Sequence, residues 1–337
     1  MEQMKKAAKK QIFRVTMATS LTIIAIIILT NAIYLGIVGI MGDSFTEFSS
    51  KYFDEMSFSL IIQDTIMIIA LIIYSKIMKI DIKSHFGKPQ MKFSEMVALI
   101  ITGLGLGQGV SLITNLILTL IQTLTGFEVG TVTFVDERNA LSTVFMFLAI
   151  AVFAPILEEL FFRAGFFTPL ISQGRMFAVI VTALVFGFYH MNIPQIPSAA
   201  VMGFFFAYVS VKSRSIIPAI AGHAFNNTLG ATQYVFIAGL DMDRLTNGDT
   251  EYMMANMGKF IPLAIIAVIM YSMIFAAIVL VIVRFAKHGK NAYKITESEN
   301  RILTNGECFG AYFLNPATIV LMVIVVGMTM VTALVGR

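Results

Sequence analysis

Residues 156–165 read ILEELFFRAG, and they set Glu158, Glu159 and Arg163 inside an apolar run from Leu141 to Ile171. A run of that length spans a bilayer as a helix. Each charge at its centre costs about 2.5–3.5 kcal/mol on insertion scales. The three groups therefore either satisfy one another as a clamp or do chemistry. The i, i+4 spacing of Glu159 and Arg163 lets that pair share one helix face.

The surrounding chain has the same solvent. Of 337 residues, 57% are hydrophobic and 13% charged, which excludes a soluble domain and predicts an all-α, polytopic transmembrane helix bundle of eight to nine spans. Nine segments are predicted: 15–41, 57–78, 96–124, 141–171, 176–195, 198–212, 216–239, 260–284 and 312–335. They divide into N-terminal transmembrane helices (1–140), a catalytic core (141–240) and C-terminal transmembrane helices (241–337). The N-terminal run is too long for a signal-peptide core and is read as a retained anchor.

The pI of about 9.0 reflects lysines and arginines in short loops, with no room for a nucleic-acid-binding domain. Basic residues at the N-terminus, in 76–95, at Lys212 and Arg214, and in 287–301 alternate with acidic residues in 42–56, 125–140 and 241–251. By the positive-inside rule the N-terminus is cytoplasmic. Cys308 is the single cysteine, so there is neither a disulfide framework nor a thiolate metal cluster.

Polar residues concentrate in 141–239. His85 and His288 fall in basic loops, whereas His190 (VFGFYHMN) and His223 (AGHAFNNTLG) fall in apolar segments. The turn at 172–175 joins the fourth and fifth segments as a hairpin. Glu158 lies 15 residues before Gln173 and His190 lies 16 after Gly174, about 22–24 Å from the turn on either arm. His223 and Asn227, at i and i+4, face one way. Pro155 should kink its helix and free a carbonyl near residue 151. GLGLGQG (103–109) sits inside an apolar span with no preceding strand, so it reads as close helix packing rather than a phosphate loop. Asp64 and Asn115 read as ordinary interhelical hydrogen-bonding groups, with support of the site as the alternative.

These residues carry a family resemblance. Glu158-Glu159 with Arg163 resembles the EExxxR motif of the CPBP intramembrane proteases, Phe186 with His190 its FxxxH motif, and His223 with Asn227 its HxxxN motif. That family includes CAAX prenyl endopeptidases of the Rce1 type and bacterial bacteriocin-processing or immunity proteins. The resemblance covers about 141–240. It implies that Glu158 activates water with help from His190, that His223 and Asn227 stabilise the oxyanion, and that Glu159, Arg163 and Phe186 support them. Donors held in a low-dielectric site act strongly on a developing oxyanion.

No cofactor is expected. A zinc ion held by Glu158, His190 and His223 is the alternative, although HExxH is absent. The expected partners are the lipid bilayer and a membrane-associated peptide or protein substrate. The lysine- and isoleucine-rich, tryptophan-free composition points to a bacterial cell membrane and a role in bacteriocin processing or self-immunity. A non-catalytic peptide binder or immunity protein is the competing reading, and a transporter is disfavoured by the lack of a repeated half-domain. The active-site cavity is expected to open toward the cytoplasmic side, or laterally to lipid near that leaflet.

Overall fold

A computed structural model of the chain describes residues 1–52, 55–127, 140–297 and 301–335. Nine long helices carry the architecture among these residues: α1 (Glu2–Met41), α2 (Glu55–Met78), α3 (Phe93–Thr125), α4 (Ala140–Ile171), α5 (Arg175–Tyr189), α6 (Ile196–Ser213), α7 (Ile217–Ile237), α8 (Met257–His288) and α9 (Pro316–Val335). Seven are long and apolar enough to cross a membrane. The two that are not are α5, which has only 15 residues, and α7. α7 carries His223 and Asn227 among other polar residues, and these dilute its hydropathy. The protein is an integral, multi-pass helix bundle.

The fifth segment ends earlier than its apolar run suggests. α5 stops at Tyr189, with His190 as its C-cap, and α6 begins at Ile196. Most of the acidic 125–140 stretch, with Asp54 and Glu299, lies outside the described residues.

The basic segments gather on one face. Gln90 N–H donates to Ser213 O (2.7 Å) and Ile216 N–H to His85 O (3.0 Å). Gln173 Nε2 donates to Gln11 Oε1 (2.8 Å), and Lys5 Nζ to Glu307 Oε1 (3.0 Å). A short helix, Asn305–Phe313, lies on this face. Its capping box pairs Thr304 with Glu307. The Thr304 backbone N–H and Lys5 hold the Glu307 carboxyl down at about 2.

α3 packs against α6 and α8, α5 against α6, and α1 against α2 and α9. The glycines of 103–109 make the α3 contacts close. A Cβ on Gly103 would run into Phe205, on Gly107 into Met202, and on Gly105 into the backbone oxygen of Met273 in α8. Side chains such as Ile113, Leu116, Val268, Phe275 and Val323 point outward, as lipid-facing residues do.

Two predictions follow from this packing. Gly105→Ala should destabilise the bundle by about 1–3 kcal/mol, because the obstructing atom is backbone. Gly109→Ala, whose nearest neighbour would be Ile274 at 3.7 Å, should leave the thermal transition in detergent unchanged. Glu307 should add stability in full above about pH 4.5, its ordinary value, and lose it as pH falls toward about 2. An acid titration of unfolding, compared with Glu307→Gln, measures that loss.

Candidate active site

α4 departs from regular α-helix on both sides of its charged residues. Ala149–Phe153 and Leu160–Phe166 are π-helical, and Ala154–Glu159 between them is α-helical. Pro155 has no N–H to give. In the five-residue register of a π-turn, the carbonyl it leaves unpaired is that of Ile150. Asn227 Nδ2 donates to that oxygen at 2.9 Å. The freed carbonyl is thus one residue earlier than the α-helical count to 151, because the local register is π. Asn227 is in turn braced by neighbours. Gln108 Nε2 donates to Asn226 Oδ1 (2.8 Å), and Asn226 Nδ2 to Asn227 Oδ1 (3.3 Å).

The charged residues converge below this kink. Glu159 and Arg163 are fully buried, with Arg163 Nε 3.0 Å from Glu159 Oε2. Neither atom is aligned for a hydrogen bond, so the attraction is chiefly coulombic. The other Glu159 oxygen lies 3.0 Å from His223 Nδ1, within hydrogen-bond geometry. Arg163 Nη2 donates to Gly203 O (3.2 Å), and its guanidinium lies over the Phe186 ring at 4.5 Å.

Glu158, 8% exposed, turns the other way. Its Oε2 lies 3.8 Å from His223 Nε2 and makes no hydrogen bond to protein among the described residues. The His223 ring is stacked on Phe206 (centroids 5.4 Å apart) and meets Phe186 edge-on at 5.6 Å. Phe186 is the common wall, since His190 also meets it edge-on at 5.1 Å.

His190 and Glu158 are not joined by a hydrogen bond or ion pair among the described residues. His190 Nδ1 bonds Phe186 O at 2.9 Å. A carbonyl only accepts, so Nδ1 carries the hydrogen and Nε2 is an acceptor in the neutral ring. The histidine beside Glu158 is His223. His190, His223 and Asn227 do line one cavity, of about 240 Å³, with the amides of Gln108, Gln195, Asn226 and Gln233.

That cavity runs along α7 from His223 to Gln233 and Tyr234, toward the acidic 241–251 segment and away from the basic face.

Glu158 and His223 approach each other, but His190 does not join them, and among the described residues no three His, Cys, Asp or Glu side chains group as metal ligands.

Sequence reading missed several contributors. Gly203 gives its carbonyl to Arg163, and a Cβ there would meet Phe186 at 2.8 Å. Asp64 makes no hydrogen bond among the described residues. It is buried on α2 within electrostatic range of Glu158 and Tyr189. Asn115 bonds back to Ser111 O on its own helix (2.9 Å). A polar residue within an apolar run was the available signal for Asp64, Gln108 and Asn226.

Residues 140–229 match the family described as Type II CAAX prenyl endopeptidase Rce1-like. The matched span runs from the start of α4 to the middle of α7 and holds all seven motif residues. The match covers 90 of the 337 residues and makes this region similar to that family. No curated protein and no solved structure matches the chain.

Removing either Glu159 or Arg163 strands its partner's charge out of water. Glu159→Gln and Arg163→Met should each cost about 3–5 kcal/mol, read from unfolding in detergent. Asn227→Ala should cost less, about 1–3 kcal/mol, for the stranded Ile150 carbonyl. A Glu159→Gln protein with unchanged unfolding would contradict the clamp role.

Proposed function

We propose that the protein is a glutamate-dependent intramembrane endopeptidase that hydrolyses a peptide bond in a membrane-associated peptide or protein. The observation that carries this reading is the Glu158 carboxylate. It is buried and unbonded by protein at one oxygen, and it stands beside a histidine that lines a polar cavity.

In the proposed reaction Glu158 takes a proton from a water molecule as the water oxygen bonds to the scissile carbonyl carbon. The carbonyl becomes an oxyanion. Glu158 then delivers the proton to the amide nitrogen as the C–N bond breaks, so the products are a carboxylic acid and an amine.

Asn227 spends one amide hydrogen on Ile150 and keeps the second for the oxyanion. His223, held through Nδ1 by Glu159, donates at Nε2 in its imidazolium form. His190 Nε2, a lone-pair acceptor, helps orient the water. The amide side chains along the cavity suit an extended peptide, whose backbone needs both donors and acceptors once it leaves water.

No step in this scheme passes through a metal. The substrate proposed is a bacterial peptide or membrane protein, in bacteriocin maturation or self-immunity, with the N-terminus and basic face cytoplasmic.

Glu158→Gln preserves shape and most hydrogen bonding, so the variant should fold normally while cleavage of a membrane peptide falls roughly 10² to 10⁴-fold. The purified enzyme should keep its activity after exhaustive chelation. Activity lost to a chelator and restored by zinc would overturn the metal-free scheme and leave the protease reading intact. A wild-type protein that binds membrane peptides without cleaving them would instead make it a binder.

A further inference from the structure

A second polar cavity, of about 250 Å³, lies on the basic face under the end of α4. Its polar lining comes from His85, Arg163, Thr168, Arg175, Ser210, Arg214 and Ser215, and no aspartate or glutamate lines it. Of these the active-site reading uses only Arg163, whose charge is already paired with Glu159.

Its walls are fixed to one another. The 213–216 loop is tied to the 85–90 segment by the backbone bonds from Gln90 to Ser213 and from Ile216 to His85. Arg214 holds a left-handed conformation (φ 56°, ψ 32°). A side chain other than glycine enters that region only at a cost, and such residues cluster at functional sites. His85 Nε2 lies 3.3 Å from Thr168 Oγ1, which donates to Arg163 O at 3.2 Å. Burial holds the His85 imidazole below the usual histidine range, against the pull of Asp81.

The other two arginines are not neutralised. Arg175 Nη1 donates to Thr296 O (2.9 Å). The nearby Glu297 carboxylate is spent on the backbone N–H groups of Arg175 and Met176 (2.7 and 3.1 Å) and leans on Arg301 at 3.8 Å. Neither Arg175 nor Arg214 has an ion-pair partner among the described residues. Two guanidinium forks from different helix ends, with the Ser215 hydroxyl free to donate, match a tetrahedral oxyanion better than a single planar one. Thr168 and Ser210 spend their hydroxyl hydrogens on Arg163 O and Phe206 O.

We propose that this cavity binds a phosphate group. It sits where α4 and α6 end and α7 begins, the level at which lipid headgroups meet the protein, so the phosphate can be that of a phospholipid or one free in solution. The proposal stands independently of the protease reading.

The test uses the full-length protein in an uncharged detergent. Inorganic phosphate should raise the unfolding temperature saturably, by roughly 2–4 °C, where sodium chloride at equal ionic strength does not. Arg175→Gln/Arg214→Gln should abolish the rise, and the single variant at exposed Arg214 should weaken it. In a second arm, native mass spectrometry follows extraction from vesicles of phosphatidylcholine and phosphatidylglycerol. Phosphatidylglycerol retained by the wild type and lost from the variants assigns the lipid headgroup. A phosphate response without retained lipid assigns soluble phosphate. A chloride response equal to that of phosphate, or wild type and variants alike in both arms, would overturn the site.

Discussion

Glu159 has no water to lean on. Buried in the middle of a membrane bundle, its carboxylate must be satisfied by protein on both oxygens. It is held by Arg163 from its own helix and by His223 from α7. Much else depends on this one group. Arg163 is drawn to the Gly203 carbonyl and the Phe186 face, which fixes α4 against α5 and α6. His223 is held between two carboxylates, with Nδ1 toward the structural one and Nε2 toward Glu158. The adjacent glutamates therefore do different jobs because the chain turns them to opposite sides of one imidazole.

The second constraint is the proline next door. Pro155 costs α4 a hydrogen bond, and the helix widens into a π-turn rather than breaking. Asn227 satisfies the carbonyl this frees, so a defect in one helix becomes the point where a second is docked. The same contact positions an amide at the cavity. Stability and the proposed chemistry thus draw on the same residues, and variants here need a folding readout beside any activity readout.

Much of this was legible in the sequence. Uninterrupted apolar runs located the long helices, and the i, i+4 spacings gave the Glu159–Arg163 pair and the shared face of His223 and Asn227. The packing role of Gly103–Gly109 followed from its place inside a span. What stayed hidden was rotation between helices. Spacing fixes depth and face along one helix, and it cannot say whether His190 or His223 stands beside Glu158. Two π segments in α4 shift the face further, as the move from the expected 151 carbonyl to Ile150 records. The lining of the cavity was equally unreadable, since its amides come from α3, α7 and the α5–α6 turn. Gly203 acts through its backbone, and Phe206 through a ring stacked on His223. Neither use leaves a mark in residue type.

The central claim is that Glu158 acts on water rather than on the peptide itself. Single-turnover cleavage in ¹⁸O-water, with excess enzyme and mass analysis of both product and protein, tests it most directly. The account predicts one ¹⁸O in the new C-terminal carboxylate of the product and none in the Glu158 side chain. Label appearing in Glu158, as hydrolysis of an acyl-glutamyl intermediate at the side-chain carbonyl would leave it, would contradict the account.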